Sequence, residues 1–154
     1  MNERQGVTLI EVLIVLAILG ILASLVLPSY AGYIARTRRT EGQVALIEAM
    51  QRQERYFARH NTYVAFSADA AEPQATEFSW WSGENAVRSA YELDGHACPR
   101  QILAECIEIR ARPGTSRVDS AFRDPDCGAL TLDSLGNHGA GGTQEGQAGG
   151  RCWP

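Results

Sequence analysis

One stretch constrains this chain more than any other. Gly6 to Pro28 reads GVTLIEVLIVLAILGILASLVLP, an apolar run interrupted by a single carboxylate, Glu11. Val7 to Leu27 is about 21 residues, and as a helix it would reach about 32 Å. A bilayer's hydrocarbon core is about 30 Å thick, so the run reads as a transmembrane helix. A secretory signal has a shorter apolar region with an A-x-A-like cleavage site behind it. A plain anchor explains the length but not Glu11. A carboxylate at the centre of a membrane helix costs about 2.5–3.5 kcal/mol, so Glu11 needs a partner.

The six residues before the run, MNERQG, form a short polar leader. With GVTLIEV, Pro28 and the downstream PSYAGYIARTRRTEGQVALIEA, they make the N-terminal region resemble a type IV prepilin. The resemblance implies that a prepilin peptidase cuts after Gly6 and methylates the new amino terminus, Val7. The family usually has Phe at that first mature position, so Val7 is a departure. Glu11 falls on the family's signature glutamate, and Pro28 on the proline that kinks its helix. Packed in a filament, Glu11 could sit near a neighbour's terminal amine. At 4 Å and an effective dielectric near 20, the gross attraction is about 4 kcal/mol before desolvation.

This division gives a leader at 1–6, a membrane and filament-core helix at 7–28, and a periplasmic globular domain at 29–154. The topology signals conflict. Only Arg4 precedes the apolar run, while Arg36, Arg38 and Arg39 follow it, which by the positive-inside count would put the large part in the cytoplasm. Cys98, Cys106, Cys127 and Cys152 all follow the run, and an even number of cysteines there suits disulfides in an oxidising periplasm. The prepilin resemblance agrees with the cysteines, and we give these two precedence.

Past Pro28 the helix continues, because Ser29 to about Arg59 holds no further proline. Val44, Ile47, Met50 and Phe57 form an apolar stripe at helical spacing, with Leu46 and Tyr56 beside it. His60-Asn61 reads as the stop. Asn61 to Ser89 reads as a linking loop in which Trp80-Trp81 stand out, as half core and half loop cover or as a subunit interface. Strand patterns follow at Ala90–Leu93, closed by the turn signal Asp94-Gly95, at Cys106–Ala111 and at Ala129–Asp133. The fold class is α+β: one long N-terminal helix packed on three or four antiparallel strands, which is also the pilin fold.

The C-terminal string DPDCGALTLDSLGNHGAGG…RCWP resembles minor pilins of the PilE-like branch. That likeness implies that Cys127 pairs with Cys152 and Cys98 with Cys106. The sequence by itself allows three connectivities.

All 14 basic residues are arginine, and the net charge is −4. Arg36, Arg38, Arg39, Arg52, Arg55 and Arg59 read first as a solvated helix face. A DNA-binding stripe is the sharper alternative, which overall acidity disfavours. No Walker loop, G-x-S-x-G or H-E-x-x-H pattern occurs, the histidines are scattered and the cysteines form no C-x-x-C pair. Asp124, Asp126 and Asp133 read as turn and strand-end residues, not cation ligands. We therefore expect no catalytic residue, metal or cofactor.

The expected function is a minor pilin that supports pilus assembly and twitching motility or adhesion. Its partners are prepilin peptidase, major and minor pilin subunits, the inner-membrane assembly platform and, before assembly, inner-membrane lipid. The alternatives are a DNA-binding pilin in uptake, or a type II secretion pseudopilin. The expected path runs from the inner membrane to the extracellular pilus.

Overall fold

The computed structural model describes residues 8–141, 143, 144, 152 and 153, with the side chains of 25–29, 31, 143 and 144 left aside. Helix α1 runs Leu9–His60. The chain divides into two units, Met1–Arg36 and Thr37–Pro154.

In the first unit Thr8 caps the helix. Its Oγ1 and carbonyl oxygen accept from the Glu11 N–H at 3.4 and 3.1 Å, satisfying a donor that the first turn leaves free. Leu9, Ile10, Leu13, Leu16, Leu19 and Leu22 are each more than half exposed. A helix apolar on all sides needs cover from lipid or other helices. Among the described residues no helix is long and apolar enough to cross a membrane. The run with described side chains ends at Ser24, and from Leu9 it spans roughly 24 Å. The expected span over 7–28 also takes in Val7 and residues 25–28, which lie outside that run.

The second unit packs the later part of α1 against an antiparallel meander. Its strands are β1 Tyr91–Ala97, β2 Ile107–Pro113, β3 Leu130–Asp133, β4 His138–Ala140 and the two-residue β5 Thr143–Gln144, in sheet order β1-β2-β3-β4-β5. Leu93 opposes Ala111, Ile109 opposes Leu132 and Leu130 opposes Ala140. This register puts Tyr91, Leu93, Ile107, Ile109, Ala111 and Leu130 on one face, all buried.

The helix face that meets the sheet is not the expected stripe. Val44 and Ile47 are 48% and 44% exposed, while Ala45, Leu46, Ala49 and Gln53 are buried. Small residues face the sheet because the approach is close. A Cβ on Gly42 would lie 2.7 Å from Tyr91 Cδ2. Val44 and Ile47 are therefore pushed to the flank, while Leu46 is fully buried and Met50 and Tyr56 pack against the core.

Asp94-Gly95 is also not a turn. β1 runs through it to Ala97, with Gly95 opposite Ile109. Phe66 bridges Gly95 from the linking loop, its ring where a Gly95 side chain would be (2.5 Å to a Cβ), so glycine serves contact and not chain reversal. The reversal comes at the Cys98–Cys106 disulfide. A second disulfide, Cys127–Cys152, anchors the C-terminal segment, whose Trp153 Nε1 donates to Gly139 O at 2.9 Å. His138 opens β4 with its ring 5.0 Å from that of Trp153.

Candidate functional site

Charge pairing divides the arginines into two groups. Arg39 is buried and its guanidinium grips Asp124, Nε to Oδ2 at 2.8 Å and Nη2 to Oδ1 at 2.6 Å, with Asp126 Oδ2 at 3.3 Å. Tyr91 Oη donates to Asp124 Oδ2 at 2.7 Å and the Cys127 N–H to Oδ1 at 3.2 Å. Burial alone would raise the Asp124 carboxyl; the Arg39, Tyr91 and Cys127 bonds outweigh it and hold it below the ordinary carboxylate range. Burial first, then the bond to Asp124, pushes the Tyr91 phenol upward. Arg38 reaches Glu41 at 3.8 Å, Asp119 at 3.6 Å and the Arg88 carbonyl at 2.6 Å.

The outer sheet face is also paired. Arg110 and Arg112 each lie 3.0 Å from Asp94, and Arg112 is 3.1 Å from Glu92. Arg117 grips Asp69 at 2.6 Å. His96 sits between Asp94 at 3.4 Å and Glu108 at 3.2 Å. The Asp94 bond, followed by the Glu108 charge, raises its imidazole against the opposing effect of burial.

Arg88 and Arg123 are exposed with no ion pair among the described residues, Arg123 donating to the Ser120 and Phe122 carbonyls. Arg52, Arg55, Arg59 and Arg100 are likewise exposed, and among the described residues no ion pair engages them. Arg52, Arg55 and Arg59 follow i, i+3, i+7 spacing along roughly 10 Å of one helix face. The Glu54 carboxylate beside them accepts from Tyr63 Oη at 2.9 Å. Arg100 lies in the Cys98–Cys106 loop with φ 64°, and the Tyr63 N–H donates to Leu103 O at 2.9 Å, tying that loop to the end of α1. Gln53, fully buried, holds the same junction: its Nε2 donates to Val64 O at 2.7 Å and its Oε1 accepts from Val64 N at 3.0 Å. Arg55 and Arg59 on the last turns of the helix and Arg100 on the disulfide-closed loop thus flank one junction, with Arg52 further back along the helix and the exposed Glu54 and Glu105 interspersed. Such an array suits the backbone of a polyanion. Sequence reasoning grouped Arg36, Arg38 and Arg39 with these and missed Arg100 and Gln53; only the loop-to-helix hydrogen bonds connect the latter two to the site.

The remaining expected residues fall as follows. Gly6 and Val7 lie outside the described residues. Glu11 is exposed in the first turn of α1, and Pro28 lies within that helix with its side chain among those left aside. Sulfurs of Cys98 and Cys106 and an Asp133 oxygen come within 4.8 Å of one another. Both sulfurs are in a disulfide and offer no thiolate, so this cluster does not fit a metal. Asp133 instead closes the β3–β4 turn, accepting from the Leu135 and Asn137 N–H groups at 2.9 and 2.8 Å.

An exposed apolar N-terminal helix and a helix-on-meander unit with its C-terminal segment fastened by a disulfide define a type IV pilin. The prokaryotic N-terminal methylation motif matches residues 1–27. The family described as "Type IV minor pilin ComP, DNA uptake sequence receptor" matches residues 28–131, and the chain belongs to that family. Similar proteins include the type IV major alpha-pilin of Moraxella bovis, 51% identical over 29% of this chain and 30% of that protein. The type IV major pilin protein PilA of Myxococcus xanthus is 30% identical over 59% of this chain and 44% of that protein. The chain thus spans less than half the length of the relatives it matches. A solved type IV pilin from Shewanella oneidensis is similar at 22% identity and TM-score 0.45, covering 78% of this chain and 98% of that one.

Proposed function

We propose that this chain is a minor subunit of a type IV pilus that binds DNA for uptake through Arg52, Arg55, Arg59 and Arg100. The observation that carries this is that Arg52, Arg55, Arg59 and Arg100, exposed and with no ion pair among the described residues, flank the junction of α1 and the Cys98–Cys106 loop in a protein with net charge −4. Net charge argued against DNA while acids and bases could only be counted. Asp69, Glu92, Asp94 and Asp124 are placed against other arginines, so that share of the acidity does not neutralise the stripe. The family match over residues 28–131, whose description names a DNA uptake sequence receptor, supports the same reading.

Assembly completes the proposal. Prepilin peptidase cuts after Gly6 and methylates Val7, inner-membrane lipid and then other pilin subunits cover the helix, and an assembly platform drives it into the pilus. The match of residues 1–27 to the methylation motif and the exposed apolar helix support this.

The test is duplex binding by the full chain in dodecyl maltoside micelles, followed by fluorescence anisotropy across salt concentrations. Four phosphate contacts predict a log–log slope of about −3.6, and each Arg→Ala change in the stripe should flatten it by about 0.9. Arg112→Ala, on the paired sheet face, should leave the slope alone. A slope unchanged by the stripe variants would refute the assignment.

A further inference from the structure

The arginine stripe leads into a surface that phosphate binding does not use. Two clefts flank the Trp80–Trp81 pair, of about 120 and 420 Å³, and Arg52, Phe78, Ser79 and Trp81 line both. The larger lies in the range of small-molecule sites. Its walls include both indoles, Arg52 and Glu77.

The tryptophans sit on fixed backbone. The Leu93 N–H donates to Trp80 O at 2.8 Å, the Ser82 N–H to Tyr91 O at 3.1 Å and Ser79 Oγ to Trp81 O at 2.9 Å. Trp81 bridges Glu92, so this segment runs along the free edge of β1. The two rings meet edge to face, centroids 5.0 Å apart at 83°, and both stay half-buried. An edge-to-face pair leaves ring faces open to a flat partner. Arg52 belongs to the cleft and to the stripe at once. Glu77 is the informative neighbour, because a carboxylate repels phosphate yet accepts a hydrogen bond from the amino group of a base. Aromatic faces, an arginine and a carboxylate together match a nucleotide better than a bare phosphate.

We propose that the larger Trp80–Trp81 cleft takes one unpaired DNA base bearing an exocyclic amino group. The base stacks on an indole, its phosphate meets Arg52 and its amino group meets Glu77. This rests on the DNA-binding reading above and adds that the chain grips single-stranded ends or frayed segments. Arg52 in the cleft wall, with Arg55 and Arg59 following it along the helix, supplies the charge complementarity that selects a polyanion over an apolar partner.

The experiment titrates the full chain in dodecyl maltoside micelles with single-stranded dC and dT 12-mers and a blunt 12-bp duplex, reading tryptophan emission and anisotropy. The dC strand should quench emission and bind about fivefold or more tighter than dT, and Glu77→Ala should erase that preference. Trp80→Leu or Trp81→Leu should weaken single-strand binding by roughly 5- to 150-fold, with Trp81→Phe recovering part of the loss. Far-UV circular dichroism checks that the variants fold. Glu77 is exposed, so its variant tests the cleft even if the tryptophan variants do not fold. Duplex binding with no quenching by dC, or dC preferred equally by Glu77→Ala, overturns the cleft and leaves the DNA reading standing. Binding of neither strand nor duplex at low salt overturns both.

Discussion

Asp124 shows how much one residue holds. It takes both edges of Arg39, the Tyr91 hydroxyl and the Cys127 N–H, linking helix, β1 and the C-terminal disulfide at one carboxylate. Asp124→Asn would leave the buried Arg39 charge facing only the exposed Asp126 carboxylate, so we expect a loss of about 3 kcal/mol in chemical denaturation. Because the folded-state carboxyl is depressed, its contribution is present above about pH 4 and is lost as pH falls through the lower folded value. Acid titration of wild type should show this loss and Asp124→Asn should not. His96 has the opposite sign. Its folded-state imidazole is raised, so its contribution is full below about pH 6.5 and fades as pH climbs through the raised value. Thermal melts from pH 5 to 9 should show that decline, and His96→Gln should remove it.

The elements owe their placement to contact as much as to pattern. The stop at His60-Asn61 and the alternation of β2 were legible, because a left-handed Asn61 (φ 54°) and alternating burial are local properties. The inward face of α1 was not. Periodicity reports where bulky apolar residues recur, whereas the sheet selects Gly42, Ala45 and Ala49 for lack of space. Gly42→Ala should therefore destabilise the second unit by about 1–3 kcal/mol despite better helix propensity, as denaturant unfolding would show. A neutral or stabilising result would mean that Tyr91 has room to move. The disulfide Cys127–Cys152, with a sequence separation of 25, stabilises the C-terminal segment by about 3–4 kcal/mol in the chain-entropy model.

At the scale of the whole molecule, the chain carries an exposed apolar helix and a unit that pairs many of its charges while leaving Arg52, Arg55, Arg59 and Arg100 without ion pairs among the described residues. We expect Glu11→Ala to reduce filament incorporation sharply, measured as protein in sheared pili against membrane-retained protein. Equal incorporation would remove the pairing role from Glu11. Intact mass from cells with and without prepilin peptidase should differ by Met1–Gly6 and one methyl group.

The sequence by itself determined the long N-terminal helix, the lone Glu11 within its apolar run, an antiparallel sheet and cysteines able to form disulfides. These are properties of short windows or simple counts, and they survive without knowledge of contacts. Only the tertiary structure decided which arginines are free. Arg39 meets Asp124 across 85 residues, and Arg117 meets Asp69 across 48. Charge is additive along a chain but is cancelled in space, so a protein acidic in sum can present a basic end.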